Sequence, residues 1–152
     1  MVIYSHSRLC TFEQCPFKFK LRYIDKLPPE IEKTIEAYLG EKVHDTLEFI
    51  YTEACKERTV ELDEMIEFYI QAWNKEYSNE IKIVKQELTP ENYFEKGIKF
   101  LIDYFTENYP FKDNTIAVEK LIIVDIDPDN KGKYKLQGYV DRLVHHKDSN
   151  IF

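Results

Sequence analysis

The chain has 152 residues, of which 43% are hydrophobic and 32% charged, and its formal net charge is −7. This length suits one domain with a packed core, and the acidic balance argues against a generic nucleic-acid coat. No apolar run approaches the ~18 residues of a membrane span, and no secretory signal is visible. Because its three cysteines form no disulfide framework, we expect a cytoplasmic protein without membrane contact.

Charge is unevenly distributed along the chain. Residues 1–27 hold five basic side chains against two acidic ones, a local charge of +3, which leaves −10 for the remaining residues. We predict that Lys18, Lys20 and Arg22 in this segment contact the phosphate backbone of DNA. A solvated helix face is the alternative that charge alone leaves open.

Helical spacing and capping residues predict five helical segments before residue 110. Ser5 or Ser7 opens the first segment, and Pro16 suits the first turn of the second. Thr89, which is followed by a proline and an acidic residue, is a strong N-terminus for the last. The predicted spans are 5–14, 16–24, 30–58, 59–78 and 89–108.

Three of these helices carry apolar stripes at helical spacing, which predict a helical core. The expected core residues are Ile31, Ile35, Leu39, Val43, Leu47, Ile50 and Ala54 in the long helix, Leu62, Met65, Ile66, Tyr69, Trp73 and Tyr77 in the next, and Phe94, Ile98, Leu101 and Phe105 in the last.

Two strands are predicted after the helices, at 115–126 and 135–144, with a turn-forming cluster at 127–132 between them. Residues 145–150 have the composition of a second turn, and Ile151–Phe152 would begin a third strand. The sequence therefore predicts an α/β fold in which a helical N-terminal half packs on an incomplete mixed sheet with a C-terminal β-hairpin.

The predicted hairpin places two acidic residues together. If Asp127 opposes Lys133, antiparallel partners have numbers that sum to 260, and Glu119 lies opposite Asp141. Such residues have Cβ atoms ~5 Å apart, so that their like charges repel, and a hard divalent cation would relieve the repulsion. The alternation of the strand predicts a half-buried face for Asp141, where a carboxylate needs compensation.

Two alternatives to this cation site remain open. Asp141 could pair with Arg142 at a sheet edge, and a slip of one residue would give Glu119 other neighbours.

Gly40 and His44 raise a similar choice in the long helix. Because helical side chains lean toward the N-terminus, His44 reaches over the turn of Gly40, whose missing side chain leaves space for a ligand or a close-packed backbone. A structural histidine is the other interpretation.

Four motifs occur in a characteristic order. They are Ser-x-Ser-x-Leu at 5–9, Cys-Pro-x-x-Phe-x-Leu-x-Tyr at 15–23, Gly-x-x-x-His at 40–44 and Gly-Tyr-Val-Asp-Arg-Leu at 138–143. Together they resemble the PD-(D/E)XK nuclease superfamily, in its RecB-like exonuclease branch, which includes AddB-type and Cas4-type nucleases. The resemblance implies a restriction-endonuclease-like core and a DNA nuclease that uses Mg²⁺ or Mn²⁺. It further implies that His44, Asp141 and Glu119 are metal ligands, with His44 and Asp141 at the catalytic centre.

The second half of that family's site is missing from the sequence. After Asp141 the only acidic residue is Asp148, and no Asp/Glu-x-Lys follows. We therefore expect residues 1–152 to form a single domain, the N-terminal portion of a nuclease domain, and to be inactive alone. Cys15 matches the first of four cysteines that hold an iron–sulfur cluster in some relatives, but the other three have no counterpart, so no cluster is expected.

DNA is the expected partner, with a helicase or another repair-complex subunit as a further one. The alternative function is a non-catalytic DNA-binding or structural module of a DNA repair or CRISPR-associated complex. A regulatory metal site that uses Cys10 and Cys15 is a third possibility, although their spacing departs from the usual Cys-x₂-Cys of zinc sites.

Overall fold

The structure is a computed structural model, and it describes residues 2–85, 87–127 and 133–145. Within these ranges, five α-helices and a three-stranded mixed sheet confirm the predicted α/β class and agree with a restriction-endonuclease-like core. The elements are β1 (Val2–Ser5), α1 (His6–Gln14), α2 (Pro16–Phe19), which continues as a π-helical turn (Lys20–Ile24), α3 (Ile35–Ala54), α4 (Leu62–Glu76), α5 (Pro90–Asn108), β2 (Thr115–Asp125) and β3 (Tyr134–Val144).

The residue contacts divide the chain into two compact units. Among the described residues, the first unit comprises 2–30, 119–127 and 133–141, and the second comprises 31–118, except Gln86, with 142–145. The first unit holds β1, α1, α2, the π-helical turn and most of the β2–β3 hairpin. The second holds the helices α3, α4 and α5.

The sheet of the first unit has the order β1-β3-β2. β1 runs parallel to β3, with Val2 opposite Tyr134 and Ser5 opposite Gln137. β1 was not predicted from the sequence, because three β-prone residues are too short a run to stand out. The predicted turns at 128–132 and 146–150 and the strand start at Ile151–Phe152 fall outside the described residues.

Side-chain caps define the two N-terminal helices. The Ser5 hydroxyl oxygen accepts a hydrogen bond from the Arg8 backbone N–H at 3.3 Å, so Ser5 rather than Ser7 caps α1. The Cys15 thiol sulfur accepts one from the Lys18 N–H at 3.4 Å and caps α2, whose first residue is Pro16 as predicted. A side-chain acceptor at this position satisfies a backbone donor that the first helical turn leaves unpaired.

The core of the second unit lies among α3, α4 and α5. Among the predicted stripe residues, Ile35, Leu39, Ile50, Met65, Tyr69, Trp73 and Leu101 are buried, and Val43, Leu47, Ala54, Leu62, Ile66, Tyr77, Phe94, Ile98 and Phe105 pack partly buried against them. Ile31 is 44% exposed, contrary to the prediction. It lies before the start of α3, which is capped by the Thr34 hydroxyl oxygen, an acceptor for the Ala37 N–H at 3.3 Å.

Two polar residues, Lys42 and Thr46, belong to the buried face of α3. The Lys42 side chain is 3% exposed, and its ammonium group contacts the carboxylates of Glu41 at 3.0 Å, Asp45 at 2.9 Å and Glu76 of α4. Burial by itself would lower the pKa of Lys42, but its hydrogen bonds to these carboxylates outweigh that effect and raise the pKa. A charged lysine therefore joins α3 to α4.

Gly97 of α5 packs against side chains of both α3 and α4. A Cβ atom at Gly97 would lie 2.0 Å from the Tyr69 hydroxyl and 2.8 Å from a methyl group of Leu39. Both neighbours are buried, so neither can move aside without disturbing the core.

We therefore expect Gly97→Ala to lower the free energy of unfolding by about 1–3 kcal/mol through overpacking. Gly40→Ala is the matched control, since a Cβ at Gly40 would meet no described heavy atom within 4 Å. There the substitution should instead stabilise the helix by up to about 1 kcal/mol. Urea denaturation of both variants measures the difference, and equal effects would contradict the packing described at Gly97.

Candidate metal centre

His44 lies near the middle of α3 and is partly buried. One turn earlier, the space at Gly40 is open in the described part of the chain, since a Cβ atom added to its backbone would meet nothing within 4 Å. The close-packed backbone that the sequence also allowed there is not observed among the described residues. Gly40 therefore leaves the helix surface beside this histidine clear.

Glu48 follows His44 by one helical turn, and it was not predicted as a site residue from the sequence. A ring nitrogen of His44 and a carboxylate oxygen of Glu48 lie within 4.8 Å of each other. Residues four apart share a helix face, and imidazole and carboxylate are both ligands for divalent ions such as Mn²⁺ and Zn²⁺. The His-x-x-x-Glu spacing within a predicted helix was the signal that could have identified the pair.

Asp141 lies in β3 and is exposed, as is Tyr139, which shares its strand face and is 64% exposed. The expectation that Asp141 itself is partly buried is therefore wrong, although Gln137 and Leu143, which share its strand face, are partly buried. Alternation showed correctly which residues share the face, but it could not show that the described residues leave Asp141 exposed. The energetic need for a compensating cation is weaker than expected, and the metal-ligand role of Asp141 stays a prediction.

Glu119 occupies an unusual backbone conformation in β2, with φ at 49°. Near the loop, the Ile126 N–H donates to the Tyr134 carbonyl at 3.1 Å. The residue numbers of this opposed pair sum to 260, which confirms the predicted register there. At the other end of the hairpin, the His145 N–H donates to the Asn114 carbonyl at 3.1 Å, and the numbers of that pair sum to 259. One extra residue thus lies in β2 between these points.

The extra residue makes β2 bulged, and the left-handed conformation of Glu119 is typical of such a bulge. For a residue with a side chain this conformation costs about 1–2 kcal/mol. The uninterrupted pairing assumed for Glu119 and Asp141 therefore does not extend along the whole hairpin. Bulges re-aim side chains and occur often beside functional sites. The assignment of Glu119 as a metal ligand stays a prediction.

The three basic residues predicted to contact DNA differ in their surroundings. Lys18, Lys20 and Arg22 are all exposed. The Lys20 ammonium pairs with the Asp25 carboxylate at 2.5 Å, whereas the Arg22 guanidinium lies 5.5 Å from the centroid of the Tyr23 ring. The charge of Lys20 is thus partly neutralised within the protein.

The cysteines Cys10, Cys15 and Cys55 are free thiols. Cys15 has a structural role as the cap of α2, and Cys10 lies 3.4 Å from the Nε2 atom of His6. These contacts neither require nor test an iron–sulfur cluster at Cys15.

A family model of the PD-(D/E)XK nuclease superfamily matches residues 3–152. The chain therefore belongs to this superfamily, whose members are usually metal-dependent nucleases that hydrolyse phosphodiester bonds. Searches of the curated proteins and of the solved structures found no match. Among the described residues, no helix has the length and apolar character needed to cross a membrane.

The donor set of this chain fits the divalent metal that the superfamily generally uses. His44 and Glu48 offer one nitrogen and one carboxylate oxygen from a single helix face, and Mn²⁺ accepts both kinds of donor. The helix backbone fixes the spacing of the two residues, so that ion binding restricts only the rotations of their side chains.

Removal of either donor should weaken Mn²⁺ binding. We expect His44→Ala and Glu48→Gln each to raise the dissociation constant for Mn²⁺ by about tenfold or more, which corresponds to a lost contact of about 1.4 kcal/mol. Glu107→Gln, a change at an exposed glutamate of α5, is the control. Loss of the free Mn²⁺ signal in electron paramagnetic resonance titrations measures the affinity. Equal affinities for the wild type and both donor variants would exclude this pair as ligands.

Proposed function

We propose that this chain is the N-terminal part of a RecB-like, metal-dependent DNA nuclease. The observation that carries the proposal is the His44–Glu48 donor pair on α3 in a chain that belongs to the PD-(D/E)XK superfamily. The order of the four sequence motifs supports the RecB-like branch. In this proposal, residues 1–152 form a single domain, which is the N-terminal portion of a nuclease domain and is inactive by itself.

In this proposal, His44, Glu119 and Asp141 supply ligands to Mg²⁺ or Mn²⁺, and Glu48 adds a fourth donor. An ion held by these residues would supply Lewis acidity for the hydrolysis of a phosphodiester bond. The residues of this chain hold and orient the ion, and the basic segment holds the DNA backbone. In the nucleases that the sequence resembles, an Asp/Glu-x-Lys motif supplies a further acid and a lysine, and residues 142–152 contain no such motif.

The proposed partner is DNA, with a helicase or another subunit of a repair complex as a second partner. Three free thiols support a reducing compartment, and hence a cytoplasmic location. No cofactor role is proposed for Cys15, whose thiol caps α2.

A second candidate function is a DNA-binding or structural module with a degenerate nuclease site. The exposure of Asp141 favours it, because an exposed carboxylate needs no cation to compensate its charge. The two candidates differ in what the metal does. A nuclease site uses its cation to bind a phosphate, whereas a degenerate module binds DNA through basic side chains alone.

We expect the chain to bind a DNA duplex without cutting it, and Mn²⁺ to tighten that binding, because a ligated cation attracts phosphate oxygens. His44→Ala should abolish the effect of Mn²⁺ and leave binding in EDTA unchanged. Fluorescence anisotropy measures binding, and denaturing gels measure cutting. Affinity that is independent of Mn²⁺ would favour the degenerate module. Cutting that Asp141→Ala abolishes would contradict the proposed inactivity of these residues.

The basic segment should give the DNA affinity a salt dependence. Each lost phosphate contact lowers the slope of log affinity against log salt by about 0.7–0.9. We expect Lys18→Gln and Arg22→Gln each to lower the slope, and Lys20→Gln to lower it less, because Asp25 already pairs with Lys20.

Lys56→Gln is the control for these variants, since Lys56 is an exposed lysine that pairs with Glu53 at 2.7 Å in the other unit. Binding isotherms at several salt concentrations measure the slopes. An unchanged slope in the triple variant of the basic segment would identify its charges as a solvated helix face.

A further inference from the structure

Arg8 lies in the first unit among three aromatic rings. Its guanidinium carbon is 5.7 Å from the centroid of the Tyr4 ring, 5.5 Å from that of Phe19 and 5.3 Å from that of Tyr23. The rings come from β1, from α2 and from the π-helical turn. Aromatic rings attract a guanidinium group, but they are much weaker hydrogen-bond acceptors than a carboxylate or a phosphate. The rings can therefore hold Arg8 in position without supplying a strong acceptor for its N–H donors.

The donors of this guanidinium lack a protein acceptor in the described part of the chain. No hydrogen bond or ion pair of the Arg8 side chain is found there, and its Nε atom is buried without a partner. By contrast, Arg58 pairs with Glu53 and Glu64, and Arg142 pairs with Asp113. In a chain with 28 acidic residues, a part-buried arginine without a carboxylate is unexpected, because a buried unsatisfied donor is costly.

The surroundings of Arg8 favour an anion. No acidic residue occurs in the first turn of α1, where Arg8 lies, and the segment 1–27 carries a local charge of +3. A guanidinium group binds phosphate through two parallel N–H donors, a geometry that a lysine cannot reproduce.

We propose that Arg8 binds a phosphate of the nucleic-acid backbone, with its guanidinium group held in place by Tyr4, Phe19 and Tyr23. This inference rests on the proposed DNA substrate. It differs from the contacts proposed for Lys18 and Arg22, because Arg8 is a preorganised site rather than an exposed flexible charge. It also gives the aromatic residues of the N-terminal segment a role, since they orient the cation.

The first experiment measures the full 152-residue chain with a duplex that carries 5′-hydroxyl ends, in EDTA, so that only internal phosphates are present. We expect Arg8→Gln to weaken binding by about tenfold, the loss typical of a hydrogen bond to a charged group. Arg8→Lys should lose most of the same affinity although it keeps the charge. Arg58→Gln is the matched control and should bind as the wild type does, because Arg58 is engaged by two carboxylates.

Thermal melting of each variant shows whether it is folded. A second experiment, by nuclear magnetic resonance, uses the wild-type protein and therefore does not depend on the folding of a variant. In ¹⁵N-labelled wild type, the Arg8 Nε–Hε resonance should shift on addition of the duplex, and more weakly with inorganic phosphate. A folded Arg8→Gln variant with wild-type affinity, or an Arg8 resonance that does not respond to a bound duplex, would overturn the proposal.

The two measurements also separate this inference from the proposed function. If the resonance shifts with inorganic phosphate but no duplex binds, the phosphate site at Arg8 stands and the DNA substrate is wrong. If the duplex binds with a normal salt slope and Arg8 does not respond, the DNA substrate stands and the role of Arg8 is wrong.

Discussion

The buried ammonium group of Lys42 and the partly exposed carboxylates that contact it constrain the helix on which the candidate metal centre depends. An ammonium group with a 3% exposed side chain would be strongly destabilising without partners. Here carboxylates of α3 and α4 surround it, and the Tyr38 hydroxyl, which donates to the Trp73 carbonyl at 2.5 Å, joins the same two helices. Because these contacts require one rotation of α3 about its axis, they also determine where His44 and Glu48 project.

Prediction from the sequence succeeds for the local features of the helices and fails for the contacts of Lys42. The helices, their order and several caps follow from local chemistry, which acts between residues close in the chain, as in the capping box of Thr89 and Asn92. The burial of Lys42 and Thr46 depends on contacts with distant residues. A hydrophobic stripe places such residues on the polar face, since it cannot anticipate that Glu76 will pair with Lys42.

The candidate site was predictable to a different degree for each residue. His44 was identifiable from its spacing to Gly40, and Glu48 could have been found from the same helical geometry. The bulge at Glu119 could not have been predicted from the sequence. A glutamate that adopts the left-handed conformation in a strand has no sequence signature comparable to that of glycine. For Asp141, the strand assignment was confirmed, but its exposure depends on what covers the sheet face, which alternation does not specify.

The central proposal, which rests on the sequence resemblance, is that His44 and Asp141 bind the same divalent cation. Anomalous diffraction from crystals soaked in Mn²⁺ tests it most directly, because it locates the ion independently of activity. We expect a manganese peak with a His44 ring nitrogen and an Asp141 carboxylate oxygen each at about 2.0–2.3 Å. A peak elsewhere, with the His44 imidazole turned into the helical core away from Asp141, would contradict the claim.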